Sequence, residues 1–345
     1  MSRRIAAPVP TPGNVSTISS HSQRLGTNLS NFDIDTQATK KDSSNWHPNT
    51  NSPLHLSNVI TKGEWKHVEV GTGDSDPPPC ERSLHAAAVW KDQVFIFGGY
   101  DGERRRNDFY SYNLSTNQWK TIEATSGSPP SPRDRHCAVV YKDSFYIFAG
   151  FDGSARVNDF YQYDIIAGSW RRIIPDAVGQ IIPTPRQSHS AVVHEDSMWV
   201  WGGYDGSYRC DLFQYNFKTN IWTTIHVSGR IPRARYRASF VVHKYPSGPK
   251  LILHGGHDGT RHLADTHVFD LETRIWSALV STGIPPINRD SHVCVVYGNG
   301  MYIMGGSAGG SAMNDLHELL LDGPEADFVP KWRKVIVTGS ISHRF

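Results

Sequence analysis

Four histidines recur along this chain, His85, His136, His189 and His292, each three residues after an arginine: Arg82, Arg133, Arg186 and Arg289. Imidazole is the commonest transition-metal ligand and titrates near neutrality, so a recurring histidine first suggests a metal centre or proton transfer. The copies lie a full repeat apart, however, and one cycle carries Tyr236 at the matching place, a change a ligand set tolerates poorly. Each histidine is therefore expected to be a hydrogen-bonding member of its own repeat. Four dispersed cysteines, Cys80, Cys137, Cys210 and Cys294, form no CxxC pair and point to reduced structural thiols, with neither a zinc site nor a disulfide framework. No P-loop, HExxH or dinucleotide fingerprint occurs.

Side chains so far apart in sequence act together only if a repeating scaffold brings them to one place, and the chain has such a repeat. The second glycines of five small-residue pairs, Gly99, Gly150, Gly203, Gly256 and Gly306, are spaced by 51, 53, 53 and 50 residues. Tryptophans keep the same rhythm: Trp65, Trp119, Trp170, Trp222, Trp276 and Trp332 are spaced by 54, 51, 52, 54 and 56. Two residue types sharing a period of about 50 identify a structural repeat.

The second cycle shows its content. Arg133 and His136 precede an apolar run, Phe145-Tyr-Ile-Phe148 ends in Ala149-Gly150, and Asp152-Gly153 turns the chain. Asn158-Asp159, a strand-like Phe160-Tyr-Gln-Tyr163, a polar turn and Trp170 follow. That is four short strands with turn chemistry between them, the content of one propeller blade. The small pair permits the exit turn and a close approach of neighbouring blades, and Ala149 implies that only one true glycine is obligatory. Asp in each Asp-Gly caps its own turn, and each Trp is placed to fill the wedge between blades.

These motifs resemble the kelch family over about residues 63–338, and most closely its leucine-zipper-like transcriptional regulator type, through Ile147-Phe-Ala-Gly-Phe-Asp-Gly-Ser-Ala-Arg156-Val-Asn-Asp159. The resemblance implies an all-β propeller and an adaptor role. Kelch proteins of that type carry BTB domains after the propeller, recruit a cullin-3 ubiquitin ligase and present Ras-family GTPases to it. No BTB-like helical pattern occurs in this sequence, so the chain is expected to supply the substrate-receptor half. Catalytic kelch-like proteins give the alternative. A galactose-oxidase-like copper site needs convergent Tyr, His and Cys, and a specifier-like iron site needs Glu-xxx-Asp-xxx-Cys, which here reads Thr72, Asp76, Cys80. No enzyme activity and no cofactor are expected. A third alternative is an actin-binding structural protein.

Loops after the second strand and loops between blades are expected on one face. The first set carries Arg104, Arg105, Arg106, Arg156, Tyr208, Arg209, Arg261 and His262; the second adds Arg135, Gln187, Arg235 and Asn288. Arginine and tyrosine on a rigid concave rim are favoured interface anchors, and the arginines suit an acidic segment of a protein partner.

Bulk properties narrow the remaining classes. A formal charge of +2 on 345 residues does not advertise nucleic acid, and no apolar run approaches a membrane span. The N-terminus has no secretory h-region, so a cytoplasmic protein is expected, with nuclear or peripheral endomembrane placement left open. Residues 1–60, rich in Ser, Thr, Asn and Pro, are expected to form a disordered tail before a propeller over 61–345. Five full cycles are present, but Trp65 precedes the first as an orphan fourth strand. The C-terminal Thr338-Gly-Ser-Ile-Ser-His-Arg344-Phe345 resembles the opening of a sixth. The expectation is a truncated six-bladed ring, with a self-sufficient five-bladed ring as the alternative.

Overall fold

The computed structural model describes residues 62–71, 73–175, 181–323 and 327–339, and among them there is no helix. The tail expected over 1–60, Thr72 and the chain end from 340 lie outside the described residues. After a short β1 (Lys62–Glu64), blade 1 comprises β2 (Ala86–Trp90), β3 (Gln93–Tyr100), β4 (Arg105–Asn113) and β5 (Gln118–Thr121). Blade 2 is β6 (Cys137–Tyr141), β7 (Ser144–Phe151), β8 (Arg156–Asp164) and β9 (Ser169–Ile173). Blade 3 is β10 (Ser190–His194), β11 (Ser197–Tyr204), β12 (Tyr208–Asn216) and β13 (Ile221–Thr224). After β14 (Ser228–Gly229), blade 4 is β15 (Ser239–Tyr245), β16 (Gly248–His254), β17 (Thr266–Asp270) and β18 (Ile275–Ala278). After β19 (Thr282–Gly283) come β20 (Val293–Tyr297), β21 (Gly300–Met304), the small hairpin β22 (Ser307–Ala308) and β23 (Ser311–Ala312), β24 (Leu316–Leu320) and β25 (Lys331–Thr338). Strands β20, β21, β24 and β25 make blade 5, so five antiparallel four-stranded sheets form a five-bladed propeller arrangement.

Second strands are the most apolar and the most deeply buried. Phe145, Ile147, Met198, Val200, Leu251 and Leu253 are almost wholly enclosed and fill the space between sheets. In blades 2 to 5 the repeat tryptophan packs on the blade before its own: Trp170 on Phe97 at 5.7 Å, Trp222 on Phe148 at 4.9 Å, Trp276 on Trp201 at 6.4 Å and Trp332 on His254 at 5.2 Å between ring centroids. Large flat rings thus close the outward-widening wedge, as the spacing predicts.

The seven residues Lys244–Lys250 lengthen the first hairpin of blade 4. His243 pairs with Lys250, Lys244 with Pro249 and Tyr245 with Gly248 around a two-residue turn. Chain inserted at a blade edge extends the ladder because its backbone groups then find partners.

Candidate functional site

Entry loops are built around one buried arginine per blade. Arg82, Arg133, Arg186, Arg235 and Arg289 each grip an aspartate in or immediately before the third strand, Asp108, Asp159, Asp211, Asp265 and Asp315, at 2.5–2.7 Å. The same guanidinium donates to the carbonyl of the first residue of the small pair, Gly98, Ala149, Gly202, Gly255 or Gly305. The Asp of Asn-Asp is thus the arginine's counter-ion. The Asn of that motif, in Asn107 and Asn158, donates to the carbonyls of Pro130 and Pro183 in the next blade's entry loop.

Arg235 is therefore no rim residue. Its side chain is 0% exposed and its fork is engaged by Asp265, which removes it from the candidate partner-binding set. The fourth cycle carries arginines at 233, 235 and 237, and it is the middle one that occupies the clamp position. This also shifts the histidine register. Ala238, not Tyr236, stands where the other blades have His85, His136, His189 and His292, because a Cβ on Gly256 would meet Ala238 as one on Gly203 would meet His189.

The histidines do not serve their own blades. His189 Nε2 lies 3.0 Å from Cys137 Sγ, and His292 Nε2 lies 2.9 Å from the Ser239 hydroxyl, both on the preceding blade. His136 sits edge-on to Phe97 of blade 1 at 5.6 Å. Burial, reinforced by the neighbouring Arg186 and Arg289, pulls His189 and His292 down to about 3. Burial also raises the Cys137 and Cys294 thiols to about 12, leaving them inert. Among the described residues no three His, Cys, Asp or Glu side chains converge as a metal site would require.

Above the clamps, bridges Ser83–Tyr100, Asp134–Phe151, Gln187–Tyr204, Tyr236–His257 and Asp290–Ser307 bring the two loop sets together on one face. The Asp-Gly turns hold this face rigid. Asp101 Oδ1 accepts the Glu103 and Arg104 amides, and Asp152 and Asp258 do the same in their own turns. Backbone bonds from Arg104 and Glu103, with the Arg106 guanidinium, hold Asp101 down at about 2 against its burial.

An arc of aromatic and cationic side chains crosses the blade boundaries on this face. Arg105 lies over Phe151 of the next blade at 4.5 Å and over Tyr100 of its own at 5.6 Å; Arg156 lies over Tyr204 at 5.2 Å. The contact sequence continues Tyr204–Tyr208 (5.1 Å), Tyr208–Tyr236 (5.4 Å), Tyr236–His257 (5.8 Å) and His257–His262 (4.8 Å). Two buried carboxylates tie it to the scaffold. Asp134 takes Arg105 at 3.3 Å and Arg135 at 3.0 Å, while Asp290 takes His262 at 3.4 Å and Arg237 at 3.9 Å. Two arginines share the single charge of Asp134, so positive charge is left over at the surface.

Of the residues expected at the site, Arg105, Arg135, Arg156, Tyr208 and His262 lie in or against this arc. Arg106 is turned into Asp101 at 2.5 Å, and Arg209 lies between Asp205 and Asp211 at 3.3 and 3.4 Å. Arg104 and Arg261 are exposed on the outer loops; Gln187 is half-buried beneath the arc and Asn288 is exposed. Sequence reasoning missed Tyr100, Phe151, Tyr204, Tyr236, Arg237 and the buried Asp134 and Asp290. The aromatic before each Asp-Gly was the available signal. Beside the arc, Phe151, Ser154, Ala155, Arg156, Thr184 and Asp205 line an open depression of 460 Å³ between blades 2 and 3.

Radial four-stranded sheets, glycine pairs at the blade exits and Asp-Gly turns on one face define a kelch-type β-propeller. The chain belongs to the kelch-repeat family: the KLHDC2/KLHL20/DRC7 Kelch-repeats domain matches residues 40–246 and 200–344. It is 28% identical to the leucine-zipper-like transcriptional regulator 1 homolog of Drosophila melanogaster, over 76% of this chain and 28% of that protein. It is 29% identical to host cell factor homolog hcf-1 of Caenorhabditis elegans, over 70% of this chain and 33% of that protein. With Kelch domain-containing protein 2 of Bos taurus it shares 29% identity over 76% of this chain and 58% of that protein. The chain thus spans about a third or less of the first two relatives and a little over half of the third. No helix among the described residues is long and apolar enough to cross a membrane.

Proposed function

We propose that this propeller is a non-enzymatic protein-recognition module that grips an acidic segment of a partner on the arc from Tyr100 to His262. The observation that carries this reading is Arg105: its guanidinium lies over the rings of Phe151 and Tyr100, and its counter-ion Asp134 is shared with Arg135. A guanidinium placed this way is preorganised, so it loses little side-chain freedom when a carboxylate docks. The tyrosines beside it add rigid apolar contact of the kind found at interface anchors.

The finer reading, supported by similarity to the leucine-zipper-like regulators, is a substrate receptor for a cullin-3 adaptor with Ras-like GTPases as partners and a cytoplasmic site of action. The experiment is quantitative affinity purification with the wild-type chain and with an Arg105→Ala/Arg156→Ala double variant. The captured partner should fall at least tenfold while the melting temperature drops by no more than a few degrees. Undiminished capture by the variant overturns the arc as the site. Failure of any Ras-like GTPase to appear in the wild-type eluate removes the finer reading alone.

A further inference from the structure

The entry segments of blades 2 and 3 carry a hydroxyl residue and a proline directly before the clamp arginine: Ser131-Pro132 before Arg133 and Thr184-Pro185 before Arg186. The clamp does not require the pair, since the other blades have Cys80-Glu81, Arg233-Ala234 and Ile287-Asn288 at the same places. Each hydroxyl accepts a hydrogen bond from Nη2 of the buried arginine, Ser131 at 3.0 Å and Thr184 at 3.1 Å. Thr184 has a second partner: its hydroxyl donates to Asp205 Oδ2, in the Asp-Gly turn of the same blade, at 2.7 Å.

Thr184 and Pro185 are exposed, while Pro183 and Arg186 on either side are buried. Asn158 donates to the Pro183 carbonyl at 3.0 Å, Arg186 Nε donates to the Thr184 carbonyl at 3.2 Å, and the Arg186 carbonyl takes the Gly150 N–H of blade 2 at 2.9 Å. The prolines at 183 and 185 hold the residues before them, Ile182 and Thr184, to extended backbone. An exposed hydroxyl residue in extended chain, followed by a residue without an N–H, is what proline-directed kinases select.

The surroundings suit a phosphate. Thr184, Arg156 and Asp205 line the same depression between blades 2 and 3. Arg156 leans on this turn: a Cβ on Gly206, next to Asp205, would stand 3.7 Å from an Arg156 Nη2. Arg105, Arg106, Arg135 and Arg209 each have an aspartate, whereas Arg156 has no ion-pair partner among the described residues. A phosphate carries a charge of about −1.5 to −2 at pH 7 and three acceptor oxygens. It offers no proton to Asp205, so it turns from that carboxylate into the open depression, where the Arg156 guanidinium is unpaired.

We infer that Thr184 is a phosphorylation site whose phosphate takes Arg156 out of the arc. In the modifying step Thr184 Oγ1 bonds to the γ-phosphorus of ATP as the bond from that phosphorus to the β,γ-bridging oxygen breaks. ADP leaves, and the hydroxyl proton passes to a base of the kinase. The phosphate then meets Arg156 from within the chain, as an acidic residue of a partner would from outside. This last consequence rests on the arc binding acidic segments; the modification and the pairing with Arg156 do not.

Incubation of the folded full chain with magnesium, ATP and a proline-directed kinase tests it. Trypsin releases residues 173–186, in which Thr184 is the only hydroxyl-bearing residue, so phosphate on that peptide reports the site. Phosphate should appear there in the wild-type chain and not in Thr184→Ala; a folded chain that stays unmodified at Thr184 overturns the inference. In phosphorus NMR the resonance missing from Thr184→Ala should titrate at lower pH in the wild-type chain than in Arg156→Ala, because the guanidinium favours the dianion. A titration that Arg156→Ala leaves unchanged also overturns it. Phosphorylation should weaken binding of a fluorescent oligoglutamate peptide about tenfold or more, while the same treatment leaves the affinity of Thr184→Ala where it was. Unaltered binding by the phosphorylated chain, where Arg105→Ala/Arg156→Ala does lose the peptide, overturns the inference. If that double variant also binds as before, it is the arc reading that fails, and the titration alone decides the inference.

Discussion

Arg105 of blade 1 lies over the Phe151 ring of blade 2, its Cζ 4.5 Å from the ring centroid, so one side chain joins two blades and presents charge at the surface. Truncating Arg105 to Ala should weaken capture of an acidic partner at least tenfold. Asp134 keeps Arg135, so stability should fall by only about 1 kcal/mol. Reversing Arg106 would instead break its pair with Asp101 and disturb the turn. Binding measured beside thermal melts separates the two effects, and tighter binding at higher salt would contradict the electrostatic origin.

Removing the counter-ion of an entry arginine should be severe. Asp211→Ala leaves the Arg186 guanidinium, 0% exposed, without its carboxylate, and a loss of about 3–5 kcal/mol is expected. Glu64→Ala, whose pair with Lys66 is well exposed on both sides, should cost no more than about 1 kcal/mol. Urea unfolding of the two variants gives the comparison.

The two members of a small pair should differ. Gly202 has φ 63° and its position is filled by Ala149 at φ 61° in blade 2, so Gly202→Ala should cost about 1–2 kcal/mol. Gly203 has φ 91°, and a Cβ there would stand 2.8 Å from the His189 Cβ and 2.9 Å from the Gln187 carbonyl oxygen. Gly203→Ala should cost about 3 kcal/mol or more, or prevent folding. Equal effects in denaturant titrations would refute the assignment of the second glycine as the indispensable one.

Acid should weaken the fold well above the carboxylate range. His189 and His292 are held neutral, near 3, against about 6.5 in an unfolded chain. Between those values the unfolded state binds more protons, so stability rises with pH across the window and is lost as pH falls from about 6.5 toward 3. Each histidine contributes a slope of up to about 1.4 kcal/mol per pH unit. His189→Gln should flatten the profile of stability against pH, measured by urea unfolding from pH 4 to 8.

Much of this was legible in the sequence because a repeat multiplies weak local signals. Five small-residue pairs and six tryptophans located the blades, and Asp-Gly located the capped turns. Partnerships between blades were not legible, since the order of residues within a repeat does not say which neighbour a side chain touches. His189 therefore read as serving its own blade, whereas its ring reaches Cys137. Arg235 read as a rim residue because the fourth cycle offers three arginines at alternate positions, and only the fit to Asp265 selects the middle one. Tyr100, Phe151 and Tyr204 were absorbed into a turn motif, although their rings face the arginines of the site.

The entry arginines of blades 2 to 5 belong to two blades at once, by side chain to their own and by backbone to the one before. A blade whose neighbour is undocked has its loop peptide groups unpaired, so secondary structure and ring assembly cannot mature separately. The chain should therefore melt as one cooperative unit with no stable single-blade intermediate, unlike linear repeat proteins that fray module by module. Loosening any one loop would then be felt across the neighbouring blades, including at the binding arc on the same face.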